Sequence, residues 1–209
     1  EAGVNHNGSL ELAKKMADVA KAAGADIVKY QTAKPELVVS RFAQKAEYQK
    51  EKTGADESQL EMIKKIHFGF EAHRELKEYC DSIGIMYLST PFDMDSIDFL
   101  AEMDMPVWKI PSGEITNLPY LEKVAQLKKP IIMSTGMCEI EEVKESLDVL
   151  YKNGATDVTI LHCNTEYPTP LKDANVKAML DLQKNFGTKI GYSDHTLGLE
   201  APLAAVALG

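Results

Sequence analysis

Cysteine is scarce in this 209-residue sequence, which also has no long apolar run and no excess of basic residues. Its three cysteines, Cys80, Cys138 and Cys163, are odd in number and far apart, which argues against a disulfide framework and favours a reducing, cytoplasmic environment. No apolar run approaches the roughly 18–20 residues that span a bilayer, so we expect no membrane partner. The 23 basic and 32 acidic residues leave a net charge of −9, which argues against a nucleic-acid partner.

Short β-branched runs alternate along the chain with stretches that carry an apolar residue every three or four positions. With 44% hydrophobic and 26% charged residues, the composition is that of a globular protein. The runs are apolar on both faces and end in a polar residue, as expected of parallel strands buried between layers. The strand candidates are residues 26–31, 85–89, 107–110, 131–134, 158–162 and 189–193.

The spacing of these strands favours a barrel. From residue 85 onward, successive strand ends lie 21 to 31 residues apart, the length of a repeated β-α unit. Residues 1–4 would be the tail of an earlier strand, which brings the number of predicted strands to seven. We therefore predict a (β/α)8 TIM barrel that lacks the start of its first strand and its last strand. A doubly wound sheet is the alternative, but no G-x-G-x-x-G turn follows the first strand.

The two ends of the sequence predict an incomplete domain. Position 1 is Glu rather than Met, and the last residues are in an apolar helical pattern, so we expect residues 1–209 to be an incomplete barrel domain of a longer protein.

Residues 32–69, which include the charged stretch 45–50, interrupt the regular alternation of strands and helices. This insertion is either a lid over the barrel mouth or a solvated surface excursion.

Polar side chains stand at the end of every predicted strand. In a barrel these positions meet at one mouth, where two lysines, several hydroxyls and an amide would bind a small, highly charged oxyanion. A lysine inside a strand would be desolvated unless it faced a pocket, so Lys29 and Lys109 are the strongest candidates. The strand-end residues are Glu1, Lys29, Gln31, Ser89, Thr90, Lys109, Ser112, Glu114, Ser134, Thr135, His162, Asn164, Ser193, Asp194 and His195.

The histidines suggest a metal. His195 follows a strand, beside Asp194, which could orient its ring, and this arrangement suits a metal ligand. His162 could be a second ligand, a phosphate contact or a hydrogen-bonded core residue, and His6 a substrate contact. We expect two further histidines, His67 and His73, at the surface. Cys138 and Cys163 have no histidine at a spacing that suits a nucleophile.

The strand-end motifs resemble those of the sialic acid synthases, the bacterial N-acetylneuraminate synthases and their relatives. The resemblance covers almost the whole chain, with motifs in order at successive strand ends. These motifs are EAGVNHNG (1–8), VKYQT (28–32), STPFD (89–93), KIPSGEITN (109–117), STGM (134–137), HCNTEYPTP (162–170) and GYSDHT (191–196).

The resemblance implies a barrel that condenses phosphoenolpyruvate with open-chain N-acetylmannosamine and water. The products would be N-acetylneuraminate and phosphate, with Mn²⁺ or Mg²⁺ as cofactor. It also implies a homodimer in which a C-terminal antifreeze-like domain reaches the partner's barrel mouth, and this domain is absent from residues 1–209.

The family's roles carry over to matching positions. His195 would bind the metal, while a second histidine ligand of the family lies in a Lys-His-Phe segment that these residues do not include. Glu114 would contact the aldehyde or the metal-bound water. Glu1, Gln31 and Tyr167 would line the sugar side, with Glu1, Glu114 and His195 as the catalytic group. The phosphoenolpyruvate ligands would be Lys29, Thr90, Lys109, Ser112, Ser134, Ser193 and Asn164, although some members carry the asparagine one residue later.

Three alternatives remain open from the sequence. Synthases of legionaminic or pseudaminic acid share the phosphoenolpyruvate residues and differ in the sugar. A Schiff-base aldolase would use Lys29 or Lys109 as nucleophile on a similar barrel. The third alternative is a sugar-binding barrel without catalytic activity. The presence of Glu114 and His195 argues against it.

Overall fold

The computed structural model describes residues 1–44 and 58–209. The chain divides into two compact units, Glu1–Met105 and Pro106–Gly209, and each combines helices with parallel strands. Among the described residues, no helix has both the length and the apolar character needed to cross a membrane.

The first unit contains a parallel pair of strands, β1 (Ile27–Thr32) and β2 (Met86–Pro91). Their register places Lys29 beside Leu88 and Gln31 beside Thr90. Gly3 forms a single parallel bridge with Tyr30, which is the part of the predicted strand tail at residues 1–4 that the structure bears out, while Val4 already belongs to a turn. The helices described in this unit are α1 (Leu10–Ala22), α2 (Pro35–Val38), α3 (Gln59–Ile66), α4 (Phe70–Ile83) and α5 (Met94–Glu102).

Alternation along β1 separates a buried face from a polar face. Val28, Tyr30 and Thr32 are buried, and the Tyr30 hydroxyl donates to the main-chain oxygen of Ala13 in α1 at 2.9 Å. Lys29 and Gln31 are on the opposite face, because successive side chains of a strand point to opposite sides. The strand therefore packs its apolar side against helix and presents its lysine and glutamine together.

The second unit contains four parallel strands, β3 (Trp108–Ile110), β4 (Ile131–Ser134), β5 (Val158–Cys163) and β6 (Lys189–Ser193). They pair in the order β3-β4-β5-β6, so each strand neighbours the next one in sequence. Its helices are α6 (Leu118–Gln126), α7 (Ile140–Lys152), α8 (Ala178–Phe186) and α9 (Glu200–Leu208), with 3₁₀ turns at Ser112–Glu114 and Leu171–Asp173.

The predicted α/β alternation is confirmed, since all six strand candidates form strands whose ends differ by at most two residues. A doubly wound sheet reverses its strand order at a switch point, whereas the four-stranded sheet runs in sequence order without reversal, as a barrel does. The closed eight-stranded barrel and its truncation stay predictions.

The insertion at residues 32–69 is partly helical. It includes α2 and α3, and α3 begins with a capping box, in which Ser58 and Glu61 satisfy each other's main-chain N–H groups. The charged stretch 45–50 lies outside the described residues.

Candidate active site

Lys109 is the most buried cation among the predicted site residues of the second unit. It belongs to β3, only 7% of its surface is exposed, and its neighbours Trp108 and Ile110 are buried too. Its Nζ donates to Ser134 Oγ at 2.7 Å and to the main-chain oxygen of Ile110 at 2.8 Å. Polar partners compensate part of the cost of burying the ammonium group, and they aim it at the carboxyl ends of β3 and β4.

Ser112 connects the ends of three neighbouring strands. It opens the 3₁₀ turn after β3, and its Oγ accepts a hydrogen bond of 2.9 Å from the N–H of Gly136, which follows β4. The same oxygen lies 3.4 Å from Sγ of Cys163, the last residue of β5. The turn also carries Glu114, whose Oε2 accepts from Asn117 Nδ2 at 2.7 Å.

His195 lies beyond β6, and its imidazole is oriented by the loop after β5. Its Nδ1 donates to the main-chain oxygen of Asn164 at 2.6 Å, since a carbonyl can only accept. The expectation that Asp194 orients the ring is wrong, because Asp194 Oδ1 accepts from the N–H and hydroxyl of Thr196. The ring of Tyr167 lies 4.1 Å from the His195 ring, centroid to centroid.

This geometry fits His195 as a metal ligand. A proton held on Nδ1 by a main-chain oxygen leaves the Nε2 lone pair available for coordination, the usual arrangement of ligating histidines. No group of three His, Cys, Asp or Glu side chains within residues 1–44 and 58–209 could hold a metal ion. His195 therefore fits as one ligand, and the remaining ligands stay an expectation from the family resemblance.

Three other predicted residues of this unit lie near the same edge. Ser193 is half-buried at the end of β6, in register with Cys163. The Asn164 amide donates to the main-chain oxygen of Asp173 at 2.9 Å, while its Oδ1 is buried without a partner. His162 Nε2 donates to the main-chain oxygen of Ala174 at 2.8 Å, so this imidazole is a hydrogen-bonded structural residue, one of its three expected roles.

The remaining predicted site residues lie in the first unit. Lys29 forms a short ion pair with Glu1 through Nζ and Oε1. Gln31 and Thr90 are register partners across β1 and β2, so their side chains are on the same side as Lys29. Thr90 is buried, and its Oγ1 has no hydrogen-bond partner, as expected of a hydroxyl that awaits a ligand.

The histidines of the first unit correct one expectation. His73 is completely buried, not at the surface, with Nδ1 2.8 Å from the Tyr87 hydroxyl and Nε2 3.4 Å from Thr32 Oγ1. His6 is also fully buried, and its ring stacks on Phe68 at 3.8 Å between centroids. Its Nδ1 accepts from the N–H of Gly8 at 3.2 Å, and its Nε2 is buried without a partner.

Burial keeps these imidazoles neutral. Desolvation lowers the pKa of His73 to about 3 and, together with nearby His67, that of His6 to about 4. The pKa of His67 is lowered too, because this half-buried ring is largely desolvated. His67 is half-buried and not fully at the surface, and the substrate contact expected of His6 stays a prediction.

Two residues near the predicted ligands, Gly136 and Cys163, are not among the site residues that the sequence predicts. Both touch Ser112, and a Cβ atom on Gly136 would lie 3.1 Å from Ser112 Oγ and 3.0 Å from Cys163 Sγ. Both stand inside the quoted motifs STGM and HCNTEYPTP, which was the available signal. The contact of Cys163 with Ser112 could not be predicted from local pattern, because the two residues are 51 positions apart in the sequence.

The second unit is thus a parallel sheet whose carboxyl edge carries donors suited to an oxyanion. The chain belongs to the NeuB family, whose model matches residues 16–209. The resemblance to sialic acid synthases is thereby confirmed.

Individual relatives support this assignment. The chain is 53% identical over 211 residues to the N,N'-diacetyllegionaminic acid synthase of Campylobacter jejuni, covering 100% of this chain and 63% of that protein. It is 47% identical to the enzyme of the same name from Legionella pneumophila, covering 100% of this chain and 60% of that protein. The chain therefore spans about three fifths of these relatives' length.

A solved structure agrees with the fold. N-acetylneuraminic acid synthetase from Leptospira borgpetersenii, crystallised with citrate, superposes with a TM-score of 0.86 at 32% identity, covering 100% of this chain and 68% of that one. This match supports a fold of the TIM-barrel type, coarser than the truncated eight-stranded barrel predicted from strand spacing.

Proposed function

We propose that the protein to which this chain belongs condenses phosphoenolpyruvate with an open-chain N-acyl hexosamine and water, releasing phosphate. The product is an acid of the legionaminic type. The sequence favoured N-acetylmannosamine as the acceptor, with legionaminic or pseudaminic acid synthesis as alternatives. Two relatives at 53% and 47% identity are named for N,N'-diacetyllegionaminic acid, which supports the alternative better.

The observation that carries the proposal is the hydrogen-bonded array at the carboxyl edge of β3 to β5. It joins a buried ammonium group, that of Lys109, to the hydroxyl of Ser134, and Ser112 lies at the same edge. Fixed cationic and hydroxyl donors suit a phosphate or carboxylate, because they need no reorganisation when the anion binds. Ser193 and Asn164 complete the proposed phosphoenolpyruvate ligands of this unit.

Residues of the first unit have proposed roles of their own. Lys29 and Thr90 would contact phosphoenolpyruvate, and Gln31 and Glu1 the sugar. The unpartnered Thr90 hydroxyl and the shared face of Lys29 and Gln31 support these assignments. Tyr167, which is 59% exposed beside His195, would contact the sugar in the second unit.

The chemistry assigns distinct tasks to the side chains. Carbon 3 of the enol attacks the aldehyde carbon, and water adds at carbon 2, where positive charge develops. Glu114 would orient this water and take its proton. The carbon 2–oxygen bond to phosphate then breaks, and Lys109 and Ser134 would stabilise the departing phosphate. A divalent cation, Mn²⁺ or Mg²⁺, held in part by His195, would supply Lewis-acid polarisation of the aldehyde oxygen.

Lys109 is better suited to binding than to Schiff-base chemistry. A Schiff-base lysine needs a free amine lone pair directed at a carbonyl carbon. Nζ of Lys109 is instead surrounded by oxygens to which it donates, and that of Lys29 is paired with Glu1. We also propose a homodimer for the full-length protein, as the family resemblance implies.

Phosphate release from phosphoenolpyruvate by the full-length protein tests this function. N-acetylmannosamine is compared with a hexosamine bearing two acetamido groups, each with and without EDTA. We expect release that depends on the sugar, is faster with the diacetamido sugar and is abolished by EDTA. Borohydride with pyruvate should leave activity unchanged, whereas inactivation by borohydride, or release without a sugar, would refute the proposal.

A further inference from the structure

The hydroxyl of Ser112 has two fixed neighbours in the protein. The N–H of Gly136 is 2.9 Å from Ser112 Oγ, and Sγ of Cys163 is 3.4 Å from the same atom. A serine hydroxyl offers one proton and two acceptor lone pairs. Because a main-chain N–H can only donate, one lone pair of Ser112 is already engaged.

The thiol of Cys163 has little freedom to move away. Only 7% of this residue is exposed, and it is the last residue of β5, in register with Ser193 on β6. Gly136 packs so closely that a Cβ atom there would lie 3.0 Å from the sulfur and 2.9 Å from Thr165 Cγ2. The sulfur is therefore held against the serine by main chain on one side and by the sheet on the other.

We propose that Cys163 is a positioning residue for substrate binding, donating its S–H to the second lone pair of Ser112. With both lone pairs engaged, the only group that Ser112 can offer a ligand is its O–H. The serine thereby becomes a dedicated donor that favours an oxyanion, such as the phosphate or carboxylate of phosphoenolpyruvate. The inference rests on the proposed function and adds a residue that does not touch the substrate.

Substitutions of Cys163 can separate the effect of the S–H donor on phosphoenolpyruvate binding from the effect of side-chain volume. Valine has no donor and one more heavy atom than cysteine, and alanine has no donor and one fewer, so Cys163→Val and Cys163→Ala both leave a lone pair of Ser112 unfilled and remove the contact that fixes the direction of its O–H. Serine keeps a donor at the same place, so Cys163→Ser should restore the orientation. Cys80, which is buried in α4 of the first unit, provides a control through Cys80→Val.

The test measures the dissociation constant of phosphoenolpyruvate by calorimetry, and KM and kcat by phosphate release, with full-length protein. We expect Cys163→Val to weaken phosphoenolpyruvate binding about threefold to tenfold, the usual effect of one hydrogen bond, with KM for the sugar unchanged. Cys163→Ser and Cys80→Val should bind like the wild type. In a Ser112→Ala background, Cys163→Val should have no further effect.

Three results would overturn the inference. These are unchanged phosphoenolpyruvate affinity in Cys163→Val, a loss of the same size in the Ser112→Ala background, or failure of Cys163→Ser to restore binding. Thermal melting checks that each variant folds, and Cys163→Ala replaces the valine variant if that one does not. Wild-type protein that binds phosphoenolpyruvate but releases no phosphate would refute the proposed function alone, since the binding measurements still test Cys163.

Discussion

Nζ of Lys109 lies 2.7 Å from Oγ of Ser134 on the adjacent strand, and both residues are at least nine-tenths buried. A buried ammonium group that donates to a hydroxyl and to a main-chain oxygen suits a bound anion, because the anion would offset its charge in a poorly solvated environment. The pair is the strongest structural indication of how phosphoenolpyruvate would be held.

We predict that Lys109→Met raises KM for phosphoenolpyruvate about tenfold or more, the loss expected for a hydrogen bond to a charged group. KM for the sugar should change far less, because the lost contact is with the other substrate. Steady-state kinetics of phosphate release measures both. Lys144→Met is the matched control, since Lys144 is exposed on α7 and pairs with Asp148. An unchanged KM for phosphoenolpyruvate would remove Lys109 from its assigned role.

The positions of the strands could be predicted from the sequence because they depend on local pattern. Runs such as residues 131–134 are apolar on both faces and β-branched, and few other structures suit them. The lysine in β3 was identifiable for a related reason, since a charge between Trp108 and Ile110 must find a polar environment. Where a strand end differs from the prediction, by one or two residues, the reason is that pairing with a neighbour decides where a strand ends.

Side-chain partners distant in sequence could not be predicted in the same way. His195 is hydrogen-bonded to Asn164, 31 residues earlier, although Asp194 is its neighbour in sequence. This partner depends on how the loop after β5 packs, which local pattern does not determine. His73 was expected at the surface because it falls on a helix, whereas that helix directs its side chain toward Tyr87.

The hydrogen bond between His195 and Asn164 yields a prediction about metal binding. His195→Ala should lower the affinity for Mn²⁺ at least about tenfold, since even partners of a ligating histidine typically contribute that much. Titration of full-length protein with Mn²⁺, followed by electron paramagnetic resonance, measures the affinity without requiring turnover. His162→Gln is the matched control, because His162 is engaged by the main-chain oxygen of Ala174. Equal Mn²⁺ affinity in wild type and His195→Ala would exclude this residue as a ligand.

The buried histidines of the first unit make stability depend on pH. In the folded protein the pKa of His73 is lowered to about 3 and that of His6 to about 4, whereas both titrate near 6.5 once unfolded. Below pH 6.5 the unfolded chain therefore binds more protons, and the free energy of unfolding decreases as pH falls toward about 4. We expect a loss of roughly 2 kcal/mol per histidine between pH 7 and pH 5.

Urea unfolding of full-length protein at pH 7, 6 and 5 measures this loss. His73→Gln retains a polar side chain that cannot titrate, so it should lower stability at pH 7 yet flatten the decrease toward pH 5. The decrease between pH 7 and 5 comes mainly from histidine, because most carboxylates titrate lower. A variant whose stability falls as steeply as the wild type's over this range would show that His73 already carries a proton in the folded protein or is not buried there.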